Sequence, residues 1–563
     1  MKIVIIGGVA VGATAATRIR RLDESAQIVL FERTGYVSYA NCGLPYYVGG
    51  VIDDPDALTL QTPEALFKRF RIDARTRCEV VAINRAEKTV DVLNLATGER
   101  FVESYDKLVL APGAKPVLPP LAGVDLDEVF TLRTVEDALK IREFVESRKP
   151  ASAILAGGGF ISLELAENLR ERGLDVTIVQ RGDQLMTPFD AEIVPFIHAT
   201  LRQHGVKLAL GRSVAGFRAA EGAVDVLLEE GAPLRGELVA LAIGVTPDST
   251  LAKNAGLALG AKDAILVDDR MTTSDPDIYA GGDAVQVKHY VSGKEALIAL
   301  AGPANKHGRI IADNICGKPS RYLGSQGSAI LKLFDAAVAC TGLNERAAKL
   351  AGYDVETVVI SPSSHAGYYP GGKTMTIKIV FDRKSFALLG AQIFGYDGVD
   401  KRLDVLATAI RARMRADDLK DLDLAYAPPY SSAKDPVNMA GFVADNVARG
   451  VVKQWGMSEL ALLPRDGSVT LLDTRTPREY ALGHVDGFVN IPVDELRERV
   501  REIEKGKPVY VMCQSGLRSY VACRILHGCG YDAYNFKGGY RLYAAIAKER
   551  ALAKETSPCG ADA

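Results

Sequence analysis

SAILAGGGFISLELAENLRERGLDVTIVQR, residues 152–181, contains a complete strand–turn–helix–strand pattern. An apolar run leads into Gly157, Gly158 and Gly159, a stretch with helical spacing of apolar residues follows, and a second apolar run ends at Gln180. This pattern predicts a buried strand, a tight glycine turn and a helix whose N-terminus can receive a pyrophosphate. Residues 152–181 therefore indicate a dinucleotide-binding domain.

The same pattern occurs at the N-terminus of the chain. KIVIIGG, residues 2–8, reads as a strand that enters a glycine turn, and the helix AATRIRRL and the strand QIVLFER follow. Val9 stands where the middle glycine of G-x-G-x-x-G belongs, so we expect a slightly different backbone approach to the pyrophosphate. Glu32 lies about 20 residues beyond the glycines, where an acid bonds the ribose 2′-hydroxyl. Two such units predict two bound dinucleotides.

The second unit carries no acid at the position that corresponds to Glu32. Its strand ends in Gln180 and Arg181 instead. A neutral residue followed by an arginine tolerates a ribose 2′-phosphate. We therefore expect the second nucleotide to be NADH or NADPH.

Two further stretches favour a flavin in the first unit. YDKLVLAPGAKP runs from a strand into Gly113, and TTSDPDIYAGGDA places Asp283 after a strand and a glycine pair, where a helix could begin. Together with the N-terminal unit they resemble the FAD-binding pattern of two-dinucleotide flavoprotein reductases. That resemblance implies that Asp283 bonds the ribityl chain and that the next helix points its N-terminus at the flavin ring. The alternative is that Asp283 is an ordinary helix N-cap.

Length and composition narrow the class of protein. The chain has 563 residues, a net charge of −2 and 48% hydrophobic residues, which predicts several domains and argues against nucleic acid or a membrane surface as partner. No apolar run reaches the roughly 18 residues of a membrane span, and no signal peptide is recognisable, so we expect a cytoplasmic protein. Eight cysteines without CxxC pairs predict neither a disulfide framework nor a metal site.

SYANCGLPYY, residues 38–47, holds a single cysteine, and the next one in the chain is Cys78. Cys42 could be a small buried apolar residue, as most free cysteines are. Its position after the acid-bearing strand, near the expected flavin, favours a redox role instead. Gly43 permits close approach, and Pro45 suits the first turn of a helix whose N-terminus would lower the thiol pKa.

The C-terminal part, from residue 459, alternates strands and helices with its own turns and predicts an independent α/β domain of about 105 residues. In PVYVMCQSGLRS, Cys513 ends a strand and begins a short loop that leads into a helix. Successive backbone N–H groups of that loop, with Arg518, would form a concave anion site that stabilises a thiolate and then a persulfide.

Residues 1–445 resemble the coenzyme A-disulfide reductase branch of the single-cysteine flavoprotein reductases, whose relatives include NADH oxidases and peroxidases. The resemblance is carried by the Gly-x-Val turn, SYANCGLPYY, TLRTVEDA, HAGYYPGG and AYAPPYSSAKDPVN. It implies that Cys42 forms a mixed disulfide with an external thiol, so that the resolving sulfur comes from the substrate. It also implies a homodimer in which Tyr426, and Tyr368 or its neighbour Tyr369, reach the partner's active site and donate a proton to the leaving thiolate.

The remaining site residues follow from the same motifs. For FAD we expect contacts from Gly7, Gly8, Gly12, Glu32, Arg33, Asn41, Gly113, Arg133, Asp283 and Ala301. For NAD(P)H we expect Gly157, Gly159, Phe160, Ile161, Glu164, Gln180 and Arg181. The resemblance implies that coenzyme A is held by Arg18, Arg21, Ser38, Asn41 and Lys434, with Arg71 as a further phosphate contact.

The C-terminal domain resembles single-domain rhodaneses over its full length, through LLDTRTPREYALGHVDGFVNIP, the Cys513 loop and FKGGY. Asp473, Arg475 and His484 match that family's structural signature, and the presence of Cys513 predicts an active sulfur carrier. The predicted fold class is α/β, with two Rossmann-like domains, an α+β dimerisation domain and a rhodanese domain. The expected bounds are 1–114 with 246–322 for FAD, 115–245 for NAD(P)H, 323–445 for dimerisation, 446–458 for a linker and 459–563 for the rhodanese.

These observations predict an NAD(P)H- and FAD-dependent reductase of coenzyme A persulfide, polysulfide or coenzyme A disulfide. One alternative is an NADH oxidase or peroxidase in which Cys42 cycles through a sulfenic acid. Another is a sulfur-trafficking or redox-sensing protein that hands sulfur from Cys513 to a partner. We expect no chemical role for the other cysteines, which are Cys78, Cys316, Cys340, Cys523, Cys529 and Cys559.

Overall fold

The computed structural model describes residues 1–555, so Cys559 lies outside the described residues. The chain divides into two compact units, one of residues 1–186 with 204–327, the other of residues 187–203 with the described part of 328–563. In residues 1–555 no helix is both long and apolar enough to cross a membrane.

The first unit begins with a parallel five-stranded sheet that is buried on both faces. Its strands are, in spatial order, Ile278–Ala280, Lys107–Leu110, Lys2–Ile6, Gln27–Phe31 and Ile72–Arg75. The apolar runs of the sequence form these strands because helices cover both faces of a parallel sheet. The helices of this domain are Ala10–Leu22, Leu44–Gly49, Pro63–Phe70 and Ala301–Ile315.

Short sheets complete the first domain. One is antiparallel and consists of Cys78–Asn84, Thr89–Asn94 and Arg100–Ser104. The other contains Ile265–Leu266, Val285–Lys288 and Glu295–Ala296. The expectation that a helix begins at Asp283 is wrong, because Gly282–Ala284 forms a single 3₁₀ turn that runs directly into the strand Val285–Lys288.

A second parallel sheet lies in the middle of the sequence, as residues 152–181 predict. Its strands are, in spatial order, Lys207–Leu210, Asp175–Gln180, Ser152–Ala156, Leu238–Leu241 and Val129–Thr131. Helices Val135–Arg148 and Phe160–Glu171 accompany it, whereas the short helix Thr250–Asn254 packs on strand Cys78–Asn84 of the first domain. The remaining strands are Val214–Ala220, Ala223–Leu228 and Leu234–Gly236, and the pair Ala114–Pro116 and Val245–Pro247.

The second unit contains an antiparallel five-stranded sheet. Its strands are Ala329–Leu333, Ala336–Gly342, Leu388–Gly395, Thr376–Asp382 and Val355–Ile360. Its helices are Glu345–Ala351, Val399–Arg411 and Pro436–Ala448. Helix Val194–Gln203 also belongs to this unit, although the sequence placed it within the nucleotide domain 115–245.

A buried lysine explains why residues 187–203 associate with this antiparallel sheet. Lys378 is fully buried, and its Nζ lies 3.1 Å from Asp190, 2.7 Å from Glu192 and 2.7 Å from Glu345. Gln392 exchanges two further hydrogen bonds of 2.8 Å with Asp190. These contacts join residues that are far apart in the sequence. The apolar pattern of residues 115–245 therefore does not predict them.

The C-terminal domain is a parallel sheet with helices around it. Its strands are, in spatial order, Lys453–Trp455, Ala533–Phe536, Val509–Met512, Thr470–Asp473 and Val489–Asn490. Its helices are Met457–Leu460, Pro477–Ala481, Leu496–Arg499, Leu517–Gly528 and Gly539–Glu555. The first strand lies inside the expected linker 446–458, and because Trp455 is fully buried there, the domain starts earlier than residue 459.

The C-terminal domain packs against the rest of the second unit through charged side chains. Lys537 donates to Glu356 at 2.7 Å. The carboxylate of Glu549 bonds Nδ1 of the buried His198 at 2.9 Å and also pairs with Arg202. The last described helix, Gly539–Glu555, is therefore attached to helix Val194–Gln203.

Candidate active sites

The first glycine turn has the geometry that its residues predict. Gly7 has φ +95°, and a Cβ there would lie 2.1 Å from the carbonyl oxygen of Ala111. A Cβ on Gly12 would lie 1.9 Å from the carbonyl oxygen of Gly7. Helix Ala10–Leu22 has neither a capping side chain nor an acid in its first turn. Its N-terminal N–H groups are thus available to an anion such as a pyrophosphate.

Glu32 is buried at the end of its strand and is held by two backbone groups. Its Oε2 accepts from the N–H of Gly8 and its Oε1 from the N–H of Thr34, both at 2.9 Å. These bonds fix the carboxylate beside the glycine turn and leave lone pairs for a ribose hydroxyl. Arg33, in contrast, forms an ion pair with Asp248 at 2.9 Å.

Arg133 connects two of the expected flavin-binding loops. Its Nε donates to the carbonyl of Ala114 at 2.9 Å, next to the positive-φ Gly113, and its guanidinium lies 3.3 Å from Asp283. Burial raises the pKa of Asp283, and Arg133 opposes that shift. Ala301 is exposed at the first position of helix Ala301–Ile315.

The second glycine turn repeats this arrangement with more free space. Gly157 has φ +115°, and a Cβ there would lie 2.3 Å from the carbonyl oxygen of Ala242. A Cβ on Gly159 would meet nothing within 4 Å, and the helix Phe160–Glu171 that it caps has no side-chain cap and no acid in its first turn. At the strand end, Gln180 is half-buried and Arg181 is exposed. The turn therefore leaves room for a second nucleotide.

Cys42 lies on the surface of the first unit, in the 3₁₀ turn Asn41–Gly43 that precedes helix Leu44–Gly49. The N–H of Ser38 donates to the carbonyl of Gly8 at 2.7 Å, which ties this loop to the first glycine turn. Pro45 occupies the first turn of the helix, as predicted.

The charges around Cys42 act against the expected low pKa. Desolvation by the surrounding protein raises the pKa of the Cys42 thiol, Glu164 and Asp283 raise it further, and Arg133 opposes them. The helix-terminus argument was wrong in direction because it anticipated neither the desolvation of the thiol nor two carboxylates from other parts of the chain. The sulfur nevertheless lies among residues of both nucleotide domains.

Glu164 is a neighbour of Cys42 whose acid–base behaviour the sequence did not reveal. Burial raises the pKa of Glu164 to about 7, against the lowering effect of a 3.5 Å hydrogen bond from the Tyr46 hydroxyl. Burial also raises the pKa of Tyr46 to about 12. A proton can therefore be gained or lost at Glu164 near neutral pH.

The residues expected to hold coenzyme A occupy different environments. Arg18 forms an ion pair with Asp313 at 2.9 Å, whereas Arg21 is exposed. Arg71 is exposed, has φ +51° and stacks its guanidinium over Phe67. Lys434 is exposed in the second unit.

The structure brings two of the expected tyrosines together within the second unit. The hydroxyls of Tyr368 and Tyr426 lie 2.6 Å apart, and the two residues are 76% and 46% exposed. Buried Arg402 fixes both loops, because it donates to the carbonyl of Ser364 at 2.8 Å and to the carboxylate of Asp435 at 3.0 Å. Tyr369 instead packs edge-on against His365. Of the two alternatives, Tyr368 is thus the one that shares a hydrogen bond with Tyr426.

Cys513 is fully buried at the end of strand Val509–Met512. Its Sγ receives hydrogen bonds from the N–H of Gly516 at 3.1 Å and from the hydroxyl of Ser519 at 3.2 Å. Arg518 is directed to Glu479, with two N–H···O contacts of 2.7 Å. The loop therefore surrounds the sulfur with neutral donors, and the expected cation is paired.

Asp473 and Arg475 form a buried ion pair at 2.7 Å, while His484 stacks on Tyr480. The expected structural role of these three residues stays a prediction that agrees with their packing. Cys78, Cys340 and Cys523 are buried, Cys316 is half-buried and Cys529 is exposed.

One cluster of acids has the spacing of a metal site. In the described residues, oxygen atoms of Asp190, Glu192 and Glu345 all lie within 4.8 Å of one another. The ammonium group of Lys378 already occupies the space that they share. The cluster is therefore a structural ion-pair network.

Two parallel sheets with nucleotide-type glycine turns, and a surface cysteine beside residues of both domains, define a dinucleotide-dependent redox protein. The chain belongs to the pyridine nucleotide-disulphide oxidoreductase family, whose model matches residues 1–308. The dimerisation domain of that family matches residues 328–436, and a rhodanese-like domain matches residues 457–546. FAD and a pyridine nucleotide are the cofactors of this family.

Individual relatives agree with this assignment. A coenzyme A disulfide reductase of Staphylococcus haemolyticus is 35% identical over 446 residues, which cover 79% of this chain and 99% of the relative. The reduced CoADR-RHD of Bacillus anthracis is 46% identical, with 98% of each chain covered and a TM-score of 0.95. An NAD-dependent persulfide reductase from A. fulgidus is 38% identical, with 96% of this chain and 100% of that chain covered and a TM-score of 0.90.

Proposed function

We propose that this chain reduces the sulfane sulfur of coenzyme A persulfide, with polysulfide and coenzyme A disulfide as related substrates. One observation carries the proposal: the same chain joins Cys42, beside two nucleotide domains, to Cys513, whose sulfur receives two loop hydrogen bonds. A sulfur-binding loop of this kind would have no role in the reduction of a plain disulfide. The similarity to the A. fulgidus persulfide reductase supports this reading.

The residues around both glycine turns fit the cofactors of the family. Both helices that follow the turns lack capping side chains and first-turn acids, and Glu32 is oriented beside the first turn. Bound FAD would take a hydride from NAD(P)H and supply two electrons to a disulfide at Cys42. Exposed Arg181 supports the use of NADPH alongside NADH.

Cys42 acts as the sulfur nucleophile in this proposal. Its thiolate attacks the inner sulfur of the coenzyme A persulfide, the sulfur–sulfur bond breaks, and hydrosulfide leaves. The mixed disulfide between Cys42 and coenzyme A then takes up two electrons and releases the coenzyme A thiolate. The overall change is CoA–S–SH plus NAD(P)H to CoA–SH, HS⁻ and NAD(P)⁺.

Basic side chains would hold the phosphates of coenzyme A. Arg21, Arg71 and Lys434 are exposed and can approach a phosphate directly, whereas Arg18 is already paired with Asp313. Ser38 and Asn41 shortly precede Cys42 in the sequence and would contact the arm of the substrate. This division predicts that Arg18 contributes less to coenzyme A binding than Arg21 does.

We further propose a homodimer in which the pair Tyr368–Tyr426 serves the active site of the partner subunit. The hydrogen bond between the two hydroxyls supports a joint role as proton donor to the leaving thiolate. The dimerisation domain of the family supports the assembly.

Stopped-flow oxidation of the NADH-reduced enzyme tests the proposal. Coenzyme A persulfide, coenzyme A disulfide and oxygen are compared in wild type and Cys42→Ser by flavin absorbance. We expect the persulfide to oxidise wild type fastest and not to oxidise the variant. Fast oxidation of both proteins by oxygen, with no reaction of either sulfur compound, would instead indicate an oxidase with a sulfur-carrying domain.

Cys513→Ser separates the two sulfur sites. The variant should reduce preformed coenzyme A persulfide at the wild-type rate but lose the use of a donor that must first load the rhodanese domain. Cys529→Ser, which removes the exposed cysteine of the same domain, is the matched control. Equal loss of both activities in Cys513→Ser would contradict the proposed relay.

A further inference from the structure

Arg518 is the single charged residue in the loop of residues 513–519, and its charge is balanced by a carboxylate from another part of the domain. Its NH1 and NH2 groups lie 2.7 Å from Oε2 and Oε1 of Glu479. This two-pronged geometry is the strongest form of an arginine–carboxylate pair. Neither side chain is free to accompany a bound substrate without separating the pair.

Glu479 is locked in its charged state. Arg518 and the backbone and hydroxyl of Thr476, both at 2.9 Å, hold the pKa of Glu479 down at about 2. Thr476 and Glu479 also form the capping box of helix Pro477–Ala481, so the helix fixes the position of the carboxylate. At any working pH the loop therefore faces one positive and one negative charge.

The other groups near the sulfur add no net charge. Cys513 Sγ receives its bonds from a backbone N–H and a hydroxyl, which are dipoles. The neighbouring buried residues Asp473 and Arg475 form a closed ion pair of their own. A divalent anion that entered the loop would meet the Glu479 carboxylate as well as the Arg518 guanidinium.

We infer that Glu479 is a positioning residue that acts through Arg518 and sets donor specificity, so that the Cys513 loop accepts thiol persulfides in preference to the dianion thiosulfate. The inference rests on the proposed sulfur-carrying role of Cys513. With a persulfide, the Cys513 thiolate attacks the outer sulfur, the sulfur–sulfur bond breaks, and the thiolate R–S⁻ leaves while Cys513–S–SH forms. With thiosulfate, the same attack releases sulfite, whose two negative charges Arg518 would have to stabilise without help.

The experiment compares two sulfur donors on the full-length flavoprotein. Transfer from thiosulfate and from glutathione persulfide to cyanide is measured for wild type and Glu479→Gln. Glutamine keeps an oxygen that can accept from Thr476, so the helix cap is preserved while the charge is lost. We expect the ratio of kcat/KM for thiosulfate to kcat/KM for the persulfide to rise at least tenfold, mainly through a lower KM for thiosulfate.

A matched control exists in the same domain. Glu502 forms a similar two-pronged pair with Arg499 at 2.7 and 2.8 Å on the exposed helical segment after residue 495, so Glu502→Gln removes the same charge from another pair. This control should leave the donor ratio at the wild-type value. The gain in Glu479→Gln should also shrink as salt rises, because screening weakens attraction to the partly exposed Arg518 guanidinium.

The outcomes separate this inference from the proposed function. A raised ratio in Glu479→Gln with an unchanged ratio in Glu502→Gln supports the inference. If wild type transfers sulfur from the persulfide and Glu479→Gln keeps the wild-type donor ratio, the inference is overturned while the role of Cys513 stands. If wild type transfers sulfur from neither donor, the role of Cys513 and the inference both fail. Glu479→Asp retains the negative charge, so we expect its ratio of kcat/KM for thiosulfate to kcat/KM for the persulfide to stay low. This variant provides a test even if the glutamine variant misfolds. A raised ratio in Glu479→Asp would contradict the charge argument.

Discussion

Replacement of Lys378 by methionine should loosen the helix Val194–Gln203 from the second unit. Methionine keeps most of the side-chain volume, so the change mainly removes a charge. In the folded protein this fully buried ammonium lies within 3.1 Å of three carboxylates, those of Asp190, Glu192 and Glu345. Without it these acids would face one another without a cation between them.

The size of the effect follows from Glu345. Burial alone would raise its pKa, but Lys378, helped by Lys349, holds the pKa of Glu345 at about 2, against 4.5 for an ordinary glutamate. A depression of that size corresponds to about 3 kcal/mol of stability, which is present above pH 4.5 and is lost as the pH falls toward 2. Removing one partner of a buried ion pair typically costs about 3–5 kcal/mol. We expect Lys378→Met to destabilise the attachment by a similar amount at pH 7.

Hydrogen exchange of the backbone amides in Val194–Gln203, followed by mass spectrometry, measures this loss. A decrease of about 3 kcal/mol makes exchange roughly a hundredfold faster where exchange follows the opening equilibrium. Lys349→Met is the control, since Lys349 contacts Glu345 from an exposed position and such a pair contributes at most about 1 kcal/mol. If both variants exchange at similar rates, the buried cluster does not hold the helix and the reasoning is refuted.

The remaining predictions concern the reductase site. Glu164→Gln removes a negative charge that raises the pKa of Cys42, so alkylation of Cys42 by iodoacetamide should begin at lower pH than in wild type; an unchanged or higher pH midpoint would contradict this. Gly12→Ala should abolish FAD retention, because its Cβ would lie 1.9 Å from a backbone oxygen, whereas Gly159→Ala, with nothing within 4 Å, should keep the flavin absorbance; equal flavin content would disprove the steric argument. Tyr426→Phe should slow turnover of coenzyme A persulfide about a hundredfold by removing a proton donor. Wild-type turnover in that variant would exclude the phenol as the acid.

The features that sequence analysis predicted correctly depend on local structure. The turns at Gly7 and Gly157 need glycine because of close backbone contacts that accompany any strand–turn–helix unit of this type. The loop of Cys513 was recognisable for the same reason, since strand, loop and helix follow one another directly. Glu32 also lies where spacing along one strand predicted it.

The features that sequence analysis missed depend on residues that are distant in the chain. The pKa of Cys42 is raised first by desolvation and then by Glu164 and Asp283, which come from separate segments, so inspection of residues 38–47 pointed in the wrong direction. Glu479 lies within the rhodanese motif, but nothing in the sequence around it indicates its pairing with Arg518. Side-chain pairing between distant segments is set by the three-dimensional fold and leaves no local pattern in the sequence.

The chain contains a single tryptophan, and it lies in the C-terminal domain. Trp455 is fully buried on the edge strand of that sheet, packs against Phe536 and Tyr510, and donates from its indole to the carbonyl of Tyr534 at 3.2 Å. Its fluorescence is therefore a spectroscopic label, already present in the natural sequence, for the folding of the domain that carries Cys513. Flavin absorbance reports on the nucleotide domains. The unfolding of the nucleotide domains and of the C-terminal domain can therefore be recorded separately in one sample without labelling either.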